Sequence, residues 1–168
     1  MKHGTQVYRS DRSGFTISEL LIASSVSLIV LGVAMGVFIN VMRSWHGVEL
    51  RMQADRDVNM AMSRIVYGMG NRFGLRAAST ATNTASGSGW TVSYRTGGTA
   101  PQTNSFTYST VSGNLVFNPG SQIAGQNLSY AWAQVQGRAL VVTLRVDRVD
   151  GTLRVRRELG TKISFRNQ

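Results

Sequence analysis

Glu19 is the residue whose position most needs a chemical explanation, because it is the last charge before twenty-three uncharged residues, Leu20 to Met42. A carboxylate one turn inside an apolar helix is costly to desolvate and usually has a specific partner. If the chain were cut after Gly14, Phe15 would carry a free amino group, and Glu19 would lie four residues beyond it. In a bundle of parallel helices, that carboxylate could neutralise a neighbour's N-terminal charge inside an apolar core. The alternative is a carboxylate favoured by the helix dipole and partly wetted at the lipid headgroups. Catalytic chemistry is thinly supplied elsewhere. The only histidines, His3 and His46, flank the apolar run, so neither a Ser-His-Asp triad nor a multi-histidine metal site is expected. Cysteine is absent, which excludes disulfides and thiolate chemistry. The eight carboxylates, Asp11, Glu19, Glu49, Asp55, Asp57, Asp147, Asp150 and Glu158, suggest no acid/base pair around a pocket. Asp147 and Asp150 lack the oxygen-rich loop of a calcium site, and Thr96-Gly97-Gly98-Thr99 is followed by neither the lysine nor the helix of a phosphate loop. The expectation is a protein that is not an enzyme and holds no metal or cofactor.

The elements that must position Glu19 follow from length and patterning. The chain has 168 residues, room for one modest domain and one additional element, which excludes a large multidomain enzyme. As a helix, Leu20 to Met42 would reach roughly 35 Å, longer than a bilayer's hydrocarbon core. Ser24, Ser25, Ser27 and Asn40 form no continuous polar stripe on it, so a membrane helix explains the run better than a buried core helix. The leader, residues 1–14, is polar, with Lys2, Arg9 and Arg12 against Asp11. It begins like a secretory signal, but the apolar run is too long and no small-residue cleavage pattern follows it. Orientation is not set by charge, since Lys2, Arg9 and Arg12 on one side match Arg43, Arg51 and Arg56 on the other. Gly32 and Gly36 form a G-x-x-x-G that permits close helix approach, or are simply the glycines common in membrane helices.

Arg12-Ser13-Gly14-Phe15-Thr16-Ile17-Ser18-Glu19-Leu20-Leu21-Ile22-Ala23 resembles the class III signal of type IV pilins and type II secretion pseudopilins: a short basic leader, Gly before the cut, Phe after it and Glu four residues on. The resemblance implies cleavage after Gly14 by a prepilin peptidase, N-methylation of Phe15, and a role for Glu19 in assembly. It further implies a bacterial inner-membrane protein with its C-terminal head in the periplasm, whose partners are other pilin or pseudopilin subunits, the peptidase and the inner-membrane assembly machinery. The resemblance covers about Arg12 to Arg43. Many members have a proline about twenty residues into the mature helix, where this chain has Gly32 and Gly36 instead.

The segment expected to continue as a stem, residues 43–76, is amphipathic. Val58, Met62, Ile65, Met69 and Phe73 recur at helical spacing, with Val66 beside them, and the methionines Met52, Met62 and Met69 read as packing. Arg51 and Asp55 are spaced to pair along the helix. Gly68, Gly70 and Gly74 predict a helix end between about Tyr67 and Phe73. Residues 77–89 are small, polar and uncharged, and read as a flexible loop. From 90 to 168 the pattern is that of strands, with Ser112-Gly113 placing Tyr108 opposite Phe117 and Asp150-Gly151 turning a long hairpin. That hairpin register sets Val146 against Val155, Asp147 against Arg154, and Arg145 against Arg156. The expected fold is α+β and pilin-like: residues 15–42 as transmembrane and assembly helix, then a stem packed on an antiparallel sheet.

The chain carries 18 Lys and Arg against 8 acids, a formal +10. Half of that excess lies between Arg138 and Arg166, where Arg145, Arg154 and Arg156 could form a surface for an anionic partner. One reading is DNA, with Tyr130, Trp132 or Phe165 stacking on bases, as in a minor pilin of a DNA-uptake machine. The other is a solvated face whose arginines pair with neighbouring subunits or acidic substrates. The combined reading is a minor pilin or pseudopilin at a filament tip or in initiation, resembling the J-like pseudopilins or W-like minor pilins. The alternative is a single-pass membrane-anchored periplasmic binding protein without a filament role.

Overall fold

The apolar run continues without a break into the amphipathic stem, and both form one helix, α1 (Ile17–Tyr67), in the computed structural model, which describes residues 14–165. Contacts divide the chain into two units, Met1–Ser44 and Trp45–Gln168. In the second unit, Ala54, Val58, Ala61, Met62 and Ile65 are buried, following the expected stripe at Val58, Met62 and Ile65. Alanines at 54 and 61 let the helix approach the sheets closely. Met52, expected in the packing stripe, is instead exposed. The helix ends where Gly68 takes φ +99°, a left-handed conformation that favours glycine, and a Cβ there would lie 2.0 Å from the Arg72 carbonyl oxygen.

Gly68 and Gly70 turn the chain into a small ribbon, β1 (Gly68–Met69) and β2 (Arg72–Phe73), followed by a 3-10 turn, Leu75–Ala77. Phe73 therefore sits exposed on β2 rather than on the helical stripe. Its carbonyl accepts hydrogen bonds from Tyr94 Oη (2.8 Å) and Asn104 Nδ2 (3.3 Å), which tie the ribbon to the main sheet. Burial pushes the Tyr94 phenol well above its ordinary pKa.

Eight further strands form two antiparallel sheets: β3 (Ala78–Ser86), β4 (Gly89–Thr96), β5 (Thr103–Ser109), β6 (Asn114–Asn118) and β7 (Gln122–Gly125) in that order, and β10 (Leu153–Ser164), β9 (Ala139–Asp150) and β8 (Tyr130–Gln136) in the other. The segment 77–89, expected as a loop, is mostly β3, paired with β4 from Ala78↔Thr96 to Ser86↔Gly89. Thr80, Thr82 and Thr84 point outward and are exposed, while Ala81 and Asn83 are half-buried, the period-2 pattern of an edge strand with little apolar surface. The turn after β5 is longer than two residues, so Phe117 faces Phe106 while Tyr108 faces Leu115.

One core joins the stem to both sheets. Phe106 stacks on Tyr94 (ring centroids 5.8 Å) and tilts against Phe117 (4.9 Å), and Trp90 lies beside Tyr108. Trp90 Nε1 and Asn83 Nδ2 donate to the carbonyls of Ala131 (2.9 Å) and Ala133 (2.6 Å), so side chains satisfy β8 carbonyls where the sheets meet. Gly125 on β7 packs closely against the helix: a Cβ there would lie 2.7 Å from Ala61 Cβ. Gly125→Ala is therefore expected to destabilise the head by about 1–3 kcal/mol through overpacking. Adding Ala61→Gly should recover part of that loss despite glycine's own helical cost, read as coupled shifts in urea midpoints.

Candidate functional site

Gly14, Phe15 and Thr16 precede the helix and are exposed, Phe15 at 85 %, so the Gly14–Phe15 peptide bond lies outside regular structure. Exposed backbone of this kind is what a protease can bind. Residues 1–13 of the leader lie outside the described residues. Thr16 and Glu19 then cap the first turn reciprocally. Thr16 N–H and Oγ1–H donate to Glu19 Oε2 at 2.9 and 3.0 Å, and Glu19 N–H donates to Thr16 Oγ1 at 3.3 Å. The spacing Thr16-Ile17-Ser18-Glu19 is a capping box, in which each side chain satisfies a backbone donor that the helix leaves open. This local arrangement corresponds to the dipole-favoured reading of Glu19, and the T-x-x-E spacing is a signal in the sequence from which the capping box itself, not expected above, could have been found. The carboxylate is held by Thr16, the residue next to Phe15, where a new N-terminus would lie.

The next part of α1 is chemically suited to lipid. From Leu20 to Met42 its large apolar side chains are exposed on all faces. Its serines are satisfied within the helix: Ser24 Oγ donates to the Leu21 carbonyl (2.9 Å), Ser25 Oγ to those of Leu21 and Ile22 (2.9 Å each), and Ser27 Oγ to that of Ala23 (2.8 Å). Hydroxyls bonded in this way add little to the cost of entering a bilayer. Gly32 and Gly36 share a face on which an added Cβ would meet nothing within 4 Å. The surface they leave is open to a second helix.

The three arginines expected as an anionic-partner surface, Arg145, Arg154 and Arg156, each make an ion pair within the head. The loop of the long hairpin is Gly151–Thr152, with Asp150 paired to Leu153, so the strands are displaced from the expected register. Arg145 consequently faces Glu158, not Arg156, and binds it at 2.8 Å with its guanidinium 5.1 Å from the Tyr130 ring centroid. Arg156 faces Asp147, which also accepts from Arg154, at 2.9 and 3.4 Å respectively. The like-charge pair thus becomes two opposite-charge contacts. Asp55 binds Arg157 at 2.9 Å instead of taking Arg51 along the helix, and Asp57 pairs with Arg148. Of the aromatics expected for base stacking, Tyr130 lies beneath the Arg145 guanidinium yet is exposed, Trp132 is exposed, and Phe165 packs against the core.

Arg156, bonded to Asp147, and then Arg154 hold that carboxyl below the ordinary carboxylate range. A carboxylate with a depressed folded pKa contributes stability above its unfolded pKa and loses that contribution as pH falls through the folded value. Asp147→Asn should therefore cost about 1 kcal/mol or less at neutral pH, since both arginines are largely exposed. The difference from the parent should vanish in acid, which urea unfolding at a series of pH values measures.

Among known families, the prokaryotic N-terminal methylation motif matches residues 9–35. The match spans the basic end of the leader, the Gly14–Phe15 junction, Glu19 and the apolar run as far as Met35. It supports a type IV pilin or pseudopilin processed by prepilin peptidase and anchored in the membrane by α1. The α+β arrangement, a long N-terminal helix whose second half packs against antiparallel sheets, is pilin-like. No curated protein and no solved structure matches the chain.

Proposed function

We propose that the chain is a minor pilin or minor pseudopilin: a structural subunit rather than an enzyme, cut after Gly14, methylated on Phe15, and assembled through Glu19 and the apolar face of α1 into the tip or initiating complex of a filament. The carrying observation is the conjunction at the helix start, where an exposed Gly14–Phe15 junction is followed four residues on by Glu19 at the head of an uncharged, fully exposed apolar helix. In this reading the head, beginning near Trp45, faces the periplasm, and its partners are other pilin-type subunits and the inner-membrane assembly machinery. The J-like pseudopilins and W-like minor pilins are the subtypes it resembles in layout.

The test is the intact mass and N-terminal sequence of the protein recovered from membranes with and without co-expressed prepilin peptidase. A peptidase-dependent product beginning at methylated Phe15 is the expected result. An intact Met1, or a cut beyond Met42, overturns the reading and favours a single-pass anchored or secreted binding protein. DNA uptake is not favoured, because the arginines that motivated it are paired within the head.

A further inference from the structure

We propose that the groove between the stem of α1 and the β7–β8 connection docks an acidic segment of a different subunit, and that a second copy of this chain does not occupy it. The inference rests on the reading of the chain as a filament subunit. The groove has a volume of about 460 Å³ and is bordered by Arg56, Asp57, Met60 and Arg64 of the helix, by Asn127 of the connection and by Arg148 of β9. Three guanidinium groups meet one carboxylate there.

Their partners leave a clear positive excess. Asp57 is bound by Arg148, whose Nε is buried without an acceptor. Arg64 Nη1 donates to the carbonyls of Ile123 (3.0 Å) and Ala124 (3.2 Å), neutral acceptors that leave its charge uncompensated. Arg56 is exposed and has no ion pair or hydrogen bond to any described residue. Met60 lies four residues from each of Arg56 and Arg64, and its side chain is exposed. The helix thus presents an apolar contact with a cation one turn before it and another one turn after. The complementary segment has carboxylates flanking an apolar side chain, since guanidinium groups bind carboxylates through directed, charge-assisted hydrogen bonds.

This chain cannot readily supply that segment to its own copy. Asp55, Asp57, Asp147 and Glu158 are in ion pairs, Glu19 is held by Thr16, and Glu49 accepts from Gln53, so Asp150, exposed at the hairpin end with no ion pair to a described residue, is a single carboxylate and not the flanking pair the groove calls for. Removing residues 1–14 takes away three cations and one acid, leaving 15 against 7, or +8. Copies packed head to head would repel, whereas an acidic neighbour would be attracted and oriented. Nucleic acid fits less well, because a phosphate backbone needs a cationic track, and this site is confined and has a thioether at its centre.

The experiment places a diazirine-bearing amino acid at position 60 of the full chain, expressed in native membranes, with adducts identified by mass spectrometry after irradiation. The expected adduct is with another membrane-anchored protein, through a peptide with acids flanking the cross-linked residue. Its yield should fall roughly tenfold with Arg56→Glu, the size expected for losing one charged contact and adding a repulsion. Arg56→Lys should retain most of it. Arg95→Glu, an equal change in net charge at an exposed position outside the groove, should reduce it less than about twofold. Because the Arg56 side chain has no partner among the described residues, its replacement leaves folding intact. An adduct with a second copy or with nucleic acid, no adduct, or equal losses for Arg56→Glu and Arg95→Glu would each overturn the proposal. The N-terminal mass from the same membranes separates the two readings: a cut, methylated chain without an adduct rejects the groove alone, and an uncut chain with the adduct rejects the filament role alone.

Discussion

Glu19→Gln is expected to leave the chain inserted and cut after Gly14 but absent from any filament, with assembly reduced to background in a shearing or pull-down assay. Glutamine is chosen because it separates the two things the carboxylate can do. At the third helical position it can still accept from Thr16, so the capping box survives in outline. It cannot, however, neutralise an N-terminal ammonium in an apolar environment, where an unpaired charge costs several kcal/mol. Glu19→Ala removes both contributions, and loss of the cap alone is worth only about 0.5–2 kcal/mol, too little to unfold a helix this long. If the glutamine variant assembles normally while the alanine variant does not, the capping box is the whole role of Glu19. If both insert but neither assembles, the charge is what the filament requires. Gly14 and Phe15 remain unchanged in both variants, so peptidase cleavage reports correct insertion independently.

The first turn, the apolar run and the stem stripe were legible because each depends on residues close in sequence. Val58, Met62 and Ile65 fall on one face by helical spacing alone, and Gly68 ends the helix for a local reason, its positive φ. Residues 78–86 were harder, because ASTATNTAS carries the alternation of a strand in threonine and alanine, without the bulky apolar residues by which strands are usually recognised. Its partner β4 supplies the burial. The long hairpin forms as expected but in a displaced register. Moving the loop from Asp150–Gly151 to Gly151–Thr152 keeps the same residues on each face, so hydrophobic patterning could not discriminate the two. The charges could: the expected register sets Arg145 against Arg156, while the observed one gives Arg145 Glu158 and Arg156 Asp147. The groove at Arg56, Arg64 and Arg148 was not legible, since Arg148 lies more than eighty residues from the helix positions it joins.

Phe106→Ala should be the most destabilising single replacement in the head. The ring is fully buried, stacked on Tyr94 and packed against Phe117, and it lies on β5, the middle strand of the five-stranded sheet. Truncating a buried phenylalanine costs about 3–5 kcal/mol, because the lost transfer energy is joined by a cavity that the neighbours fill only in part. A small domain has about 5–15 kcal/mol in total, so the loss removes a large share of the margin. Relaxation is limited here, since Tyr94 is held by its hydrogen bond to Phe73 and Phe117 is constrained by pairing with Phe106 on β5. Urea unfolding of the full chain in detergent, followed by the fluorescence of buried Trp90, should show a strongly lowered midpoint. Val111→Ala, at an 87 % exposed turn in the same sheet, should leave the midpoint within about 0.5 kcal/mol of the parent. Equal effects at the two positions would mean that the aromatic layer is not where the head's stability resides. A loss confined to Phe106 would also explain failed assembly without any change at Gly14 or Glu19. Cleavage, unfolding and assembly must therefore be measured on the same variant before a filament defect is assigned to the helix.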